Sequence, residues 1–118
     1  HDRATIQVLP DIVSAVNGRA KIFIDGGFMR GTDIIKAIAL GAQAVGIGKL
    51  QAFALSAGGL NGLLDCLTIL EEEIKIGMGL LGVSSLNQLD ASYLSKARPV
   101  NPAHEMSAFP HIPGGRLT

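Results

Sequence analysis

One cysteine, Cys66, is all that 118 residues contain, so an intramolecular disulfide is impossible and the chain suits a reducing compartment. Cys66 sits inside the apolar pattern LLDCLTIL and reads as an inert core thiol rather than a reactive one. Charge of one sign is missing too. Ten basic and ten acidic residues cancel, which leaves no long-range attraction for nucleic acid or an anionic membrane surface. Any bound anion must therefore be held locally. The opening HDRATIQVLP has no basic n-region with an apolar h-region, and no apolar run reaches the ~18 residues of a spanning helix. A membrane partner is not expected, and the cytoplasm is the default location. No Cys/His spacing suits zinc, and no solenoid-type repeat is present.

What is there is ordinary for a soluble globular chain, 47% hydrophobic and 17% charged, at a length that fits one small domain. Ile6, Val8, Leu9, Ile12, Val13 and Val16 recur at roughly helical spacing, which predicts a first helix between Ala4 and Gly18 with Pro10 in its first turn. Residues 21–25, KIFID, have strand composition and stop at a glycine pair. A second helix opens at Gly31 or Thr32, with Ile34, Ile35, Ile38 and Ala39 sharing a face and Gly41 as its end. The second strand, QAVGIG, follows within a few residues. Helix, strand, helix, strand at this spacing predicts a parallel α/β sheet.

From about Leu50 to Gly82 the pattern is helical, with a break at AGGLNG that separates a short helix from a longer one running roughly from Leu60 to Met78. SSLNQL predicts a short helix capped by Ser84 or Ser85. EEE, residues 71–73, reads as a solvated helix face rather than a metal site, because consecutive carboxylates point to different sides of a helix. A body of residues 1–97 is thus followed by a tail, 98–118, with four prolines and little periodicity. The tail is either a linker or a strap, with AFPHIPGG lying over a neighbouring subunit. His104 and His111 fall in it and read as solvated or lid residues.

Two stretches, KIFIDGG and AVGIGK, are alike and lie about one βα unit apart. In a parallel α/β fold the loops leaving the carboxyl ends of strands build the ligand site, and in a (β/α) barrel the last two such loops commonly bind phosphate. Gly26 and Gly27 let the backbone take unusual dihedral angles and bring its N–H groups close to an anion, and Gly46 and Gly48 offer the same in the second loop. Arg30 adds a planar fork of donors and Lys49 a point charge. Glycines after strands are often only turns, so it is the pair at this spacing that favours a ligand. Asp25 ends the first strand with its carboxylate at the mouth of the sheet, where it suits a sugar-like hydroxyl or a backbone N–H, or else serves as a helix N-cap.

The segment IDGGFMRGTDIIKAIALGAQAVGIGK resembles the FMN-binding part of the FMN-dependent 2-hydroxy-acid oxidases and dehydrogenases, the group of glycolate oxidase, lactate oxidase and mandelate dehydrogenase. The resemblance continues through LQAFALSAGGLNGLLDCLTILEEEIKIGMGLLGVSSLNQL. It implies the C-terminal part of a (β/α)8 TIM barrel, its last two strands and their helices, completed by another chain or segment. Asp25, Gly26, Gly27, Phe28, Met29 and Arg30 then occupy the first FMN-binding loop, and Gly48 and Lys49 the second. Met29 stands where the family usually has an arginine that grips the phosphate, and Lys49 replaces another; Arg30, one place on, is the candidate to take over the missing role.

The resemblance further implies oxidation of an (S)-2-hydroxy acid to a 2-oxo acid by an oligomer, commonly a tetramer, of the completed barrel. The family's catalytic histidine and substrate-binding arginine lie in an H-G-G-R-Q segment expected just before HDRAT. No catalytic residue is therefore assigned here, His1 falling just after that segment in register. Two rival readings stand beside this one. Other phosphate-binding barrels, such as type 2 isopentenyl diphosphate isomerase, inosine monophosphate dehydrogenase and glutamate synthase, also place glycine-rich loops after the last two strands. A cofactor-free structural or interaction chain is the second rival.

Overall fold

Helix and strand alternate as the apolar spacing predicts, in a computed structural model that describes residues 3–96 and the backbone at 111–112 and 115–116. The order is α1 (Thr5–Val16), β1 (Phe23–Asp25), α2 (Gly31–Ala39), β2 (Ala44–Gly46) and α3 (Gly48–Leu81), followed by single 3-10 turns at Leu86–Gln88 and Ala91–Tyr93. β1 and β2 pair in parallel, with Phe23 opposite Ala44, Ile24 opposite Val45 and Asp25 opposite Gly46. Both strands are shorter than their apolar runs suggest. In the tail, β3 (His111–Ile112) pairs antiparallel with β4 (Gly115–Arg116). His1, His104 and the proposed strap lie outside the described residues, apart from the backbone of these short strands.

Pro10 departs from expectation. It is the sixth residue of α1, beyond the first turn, so the helix forgoes the bond its nitrogen would have donated to the Ile6 carbonyl. The ring lies on the exposed side of α1, while Leu9 beside it is 3% exposed and anchors the helix on the sheet. Burial of that side chain, about 2 kcal/mol, helps to offset the lost bond.

α2 buries two faces where the pattern suggests one. Ile35 and Ala39, with Ile38 partly buried, form the shared face and pack with Val83 and Leu89, with Ile74 and Met78 of α3 against them. Ala37, which has no accessible surface, points instead into a second cluster with Leu9, Ile24, Phe28 and Ala42. The small side chain lets the sheet and α1 approach a helix already packed on its other side.

α3 is broken as AGGLNG predicts: Gly58 and Gly59 have non-helical dihedral angles. The helix is nevertheless long and apolar enough, by length and composition, to meet the criterion for a membrane span, with a mean hydropathy of 1.5 over eighteen residues. Every such stretch carrying at most two charges crosses the Gly58–Gly59 break. Beyond α3, the cap at Ser85 forms as expected, its Oγ accepting from the Asn87 N–H.

Candidate functional site

Asp25 and Gly46 are cross-strand partners, so the loops that leave β1 and β2 start side by side. A Cβ added to Gly46 would lie 3.1 Å from the Asp25 Cβ, so a side chain there would fit only if Asp25 gave way by a few tenths of an ångström. Together the two loops enclose a cavity of about 250 Å³ lined by Asp25, Gly26, Gly27, Phe28, Met29, Gly46, Gly48 and Lys49. Sequence reasoning named all of these residues. The register of one short parallel ladder is what makes them a single hollow.

Several local features shape the walls. Gly26 and Gly27 have φ of +94° and +87°, a region that side-chain-bearing residues enter only at a cost. Thr5, at the start of α1, donates its hydroxyl to the Asp25 carbonyl at 2.8 Å and lies within 3.3 Å of the Gly26 carbonyl. The first glycine turn is thereby tied to α1. Phe28 lines the hollow yet is only 6% exposed, because its ring joins the core cluster around Ala37; burying it contributes about 2 kcal/mol that anchors the loop. Asp25 is not a helix N-cap, since α2 is capped at Arg30. On the opposite wall α3 begins at Gly48 with no side-chain cap from Ile47, so its first amides and the positive end of its dipole meet the hollow. Such walls suit an anionic group of phosphate size.

Arg30 is not part of this hollow. Its guanidinium bonds Glu73, with Nε and Nη2 at 2.7 and 2.6 Å from Oε1, and the other carboxylate oxygen accepts the Gly31 N–H at 2.7 Å. Met29 and Arg30 turn their own N–H groups to Asp33 Oδ2, at 3.3 and 3.1 Å. Arg30 instead lines a second, mostly apolar cavity of about 500 Å³ along α3, with Phe53, Leu70, Glu73 and Cys66 among its walls. Cys66 is thus half-buried at a cavity wall rather than enclosed in the core.

The EEE stretch divides accordingly. Glu71 pairs with Lys75 on the exposed side, as a solvated face should. The Glu73 side chain is 20% exposed and turned onto the start of α2, contrary to the expectation for the whole stretch. No local signal marks it, because its partners lie some forty residues earlier. Asp33, by contrast, had a signal: an acid at the third position of a helix commonly accepts from the cap amide.

Arg30, and then the Gly31 N–H, hold the Glu73 carboxyl below its ordinary range, and the same pairing raises Arg30. A carboxyl depressed in the folded state contributes its full stability above its unfolded value, near ~4.3, and loses it as pH falls through the folded value. The stability difference between wild type and Glu73→Gln should therefore hold steady from neutral pH down to about pH 5 and shrink below that. Denaturant titrations across that range read it directly; shrinkage already complete at pH 6 would contradict the pairing.

Comparison with known proteins adds sequence kinship. A family profile described as FMN-dependent dehydrogenase matches residues 1–96. L-lactate oxidase of Nostoc is 47% identical over 91 residues, covering 77% of this chain and 25% of that protein. Human 2-hydroxyacid oxidase 1 is 44% identical over 93 residues, 79% of this chain and 25% of the relative. Among solved structures, a mandelate oxidase superposes with a TM-score of 0.68 at 42% identity, over 70% of this chain and 25% of that one. An (S)-mandelate dehydrogenase superposes at 0.72 with 36% identity, over 76% and 25%. The chain spans about a quarter of the length of these relatives. With its glycine hollow at the ends of two parallel strands and its sequence matched from residue 1 to 96, the chain belongs to the FMN-dependent dehydrogenase family.

Proposed function

We propose that this chain forms the FMN-phosphate-binding portion of a flavin-dependent oxidoreductase that converts an (S)-2-hydroxy acid to a 2-oxo acid. The observation that carries the reading is the single hollow built by both strand-end loops. Its donors fit the phosphate end of FMN: glycine backbone at Gly26, Gly27 and Gly48, the α3 N-terminus and the Lys49 side chain. The Asp25 carboxylate suits a hydroxyl of the ribityl chain. Met29 supplies no charge.

When bound, FMN provides the electron sink, accepting the equivalent of a hydride from the substrate. The residues of this chain bind and orient; no proton transfer and no grip on the substrate carboxylate is assigned to them. Lys49 and the α3 N-terminus neutralise the phosphate, and the Phe28 ring in the core keeps the first loop from yielding, so the cofactor is held from its phosphate end.

The family fold is the (β/α)8 barrel, and we place β1 and β2 as its last two strands, the remainder being supplied by another segment or chain and the whole assembling as an oligomer. Two parallel strands cannot cover their own apolar faces. Phe23, on β1, is 70% exposed, which supports a further layer against it.

The test uses the assembled protein. Purified with FMN, it should show a bound-flavin band near ~450 nm, and Lys49→Met should weaken FMN about tenfold while changing riboflavin, which lacks the phosphate, less than about twofold. Equal affinity of the wild type for FMN and riboflavin would defeat the proposal.

A further inference from the structure

We infer that Glu73 is a positioning residue for the phosphate loop, acting from α3 through Arg30 and Gly31; the inference rests on the FMN reading above and deepens it. Glu73 sits at the exit of the loop, where residues 26–30 run into α2, and it touches none of the residues from 25 to 29 by any hydrogen bond among the described residues. Its two oxygens nevertheless fix that exit from both sides. One takes the fork of Arg30, a geometry that defines direction as well as distance. The other takes the Gly31 amide.

A second observation makes the grip stiff. Gly31 is pressed against α3 so closely that an added Cβ would lie 2.6 Å from the Glu73 Cβ, 2.8 Å from the Ile74 nitrogen and 2.9 Å from the Leu70 carbonyl oxygen. With Asp33 holding the amides of Met29 and Arg30, three consecutive backbone N–H groups end on two carboxylates. The turn from loop to helix has no slack, and the loop upstream of it is left to present Gly26 and Gly27 to the hollow.

The same grip decides where the arginine goes. Arg30 follows directly on Met29, a residue of the hollow, yet its guanidinium is drawn to the second cavity. Glu73 thus sets both the position of the loop backbone and the exclusion of Arg30 from the phosphate site.

The preference of the assembled protein for FMN over riboflavin is the readout. A general loss of folding lowers both affinities together, whereas a misplaced phosphate loop lowers that for FMN alone. Glu73→Ala should reduce the preference about tenfold, and the isosteric Glu73→Gln, which keeps an oxygen for the Gly31 amide, about threefold. A preference within about twofold of wild type in Glu73→Gln and Glu73→Ala overturns the inference; should only the glutamine variant fold, its unchanged preference does so alone. A wild type that shows no preference defeats instead the FMN reading, so the two failures are told apart.

Discussion

Replacing Gly31 by alanine is expected to destabilise the protein by about 2 kcal/mol and to weaken FMN binding with it. Two of the three atoms nearest to the new methyl group are backbone, the Ile74 nitrogen and the Leu70 carbonyl oxygen at 2.8 and 2.9 Å. Backbone cannot change rotamer, so relief requires the start of α2 to move away from α3. That movement pulls the Gly31 amide from Glu73, a bond of 2.7 Å, and loosens the preceding loop, which the same grip holds. Gly79→Ala is the control. A Cβ there meets nothing within 4 Å, and in a helix alanine is favoured over glycine by up to about 1 kcal/mol. Denaturant midpoints of the two variants should move in opposite directions, with flavin affinity falling only in Gly31→Ala, and equal behaviour would mean that the α2–α3 contact is not tight in solution.

Methionine 29 offers the larger gain. Met29→Arg is expected to tighten FMN binding at least about tenfold and to steepen its dependence on salt, with riboflavin unaffected. Met29 lines the hollow, whose charged lining residues are Lys49 and the oppositely charged Asp25. A guanidinium placed there would add a charged fork to the proposed phosphate site, which otherwise has backbone, a helix terminus and one ammonium group to offer. Arg30 does not make up the difference, being bound to Glu73. Unchanged or weaker FMN binding in this variant would mean that the phosphate does not sit beside residue 29.

Much of this architecture is legible in local pattern. Ile6 to Val16 repeat at helical spacing and form α1; AGGLNG contains the two non-helical glycines of α3; Ser85 caps the turn it precedes. Each of these depends on neighbours a few residues away, and the chemistry of a short stretch is enough to specify it. Pro10 is the instructive exception. A local rule puts proline in the first turn, whereas packing of Leu9 against the sheet sustains a helix that begins five residues earlier.

The sequence by itself determined which residues could serve an anion, since only glycine, lysine and arginine at two strand ends offer the backbone access and the charge. Tertiary structure alone decided which of them meet. The Asp25–Gly46 register closes one hollow, and Glu73, far along the chain, removes Arg30 from it. Parallel pairing and ion pairing act through space between distant segments, and no short window of sequence encodes the distance between them.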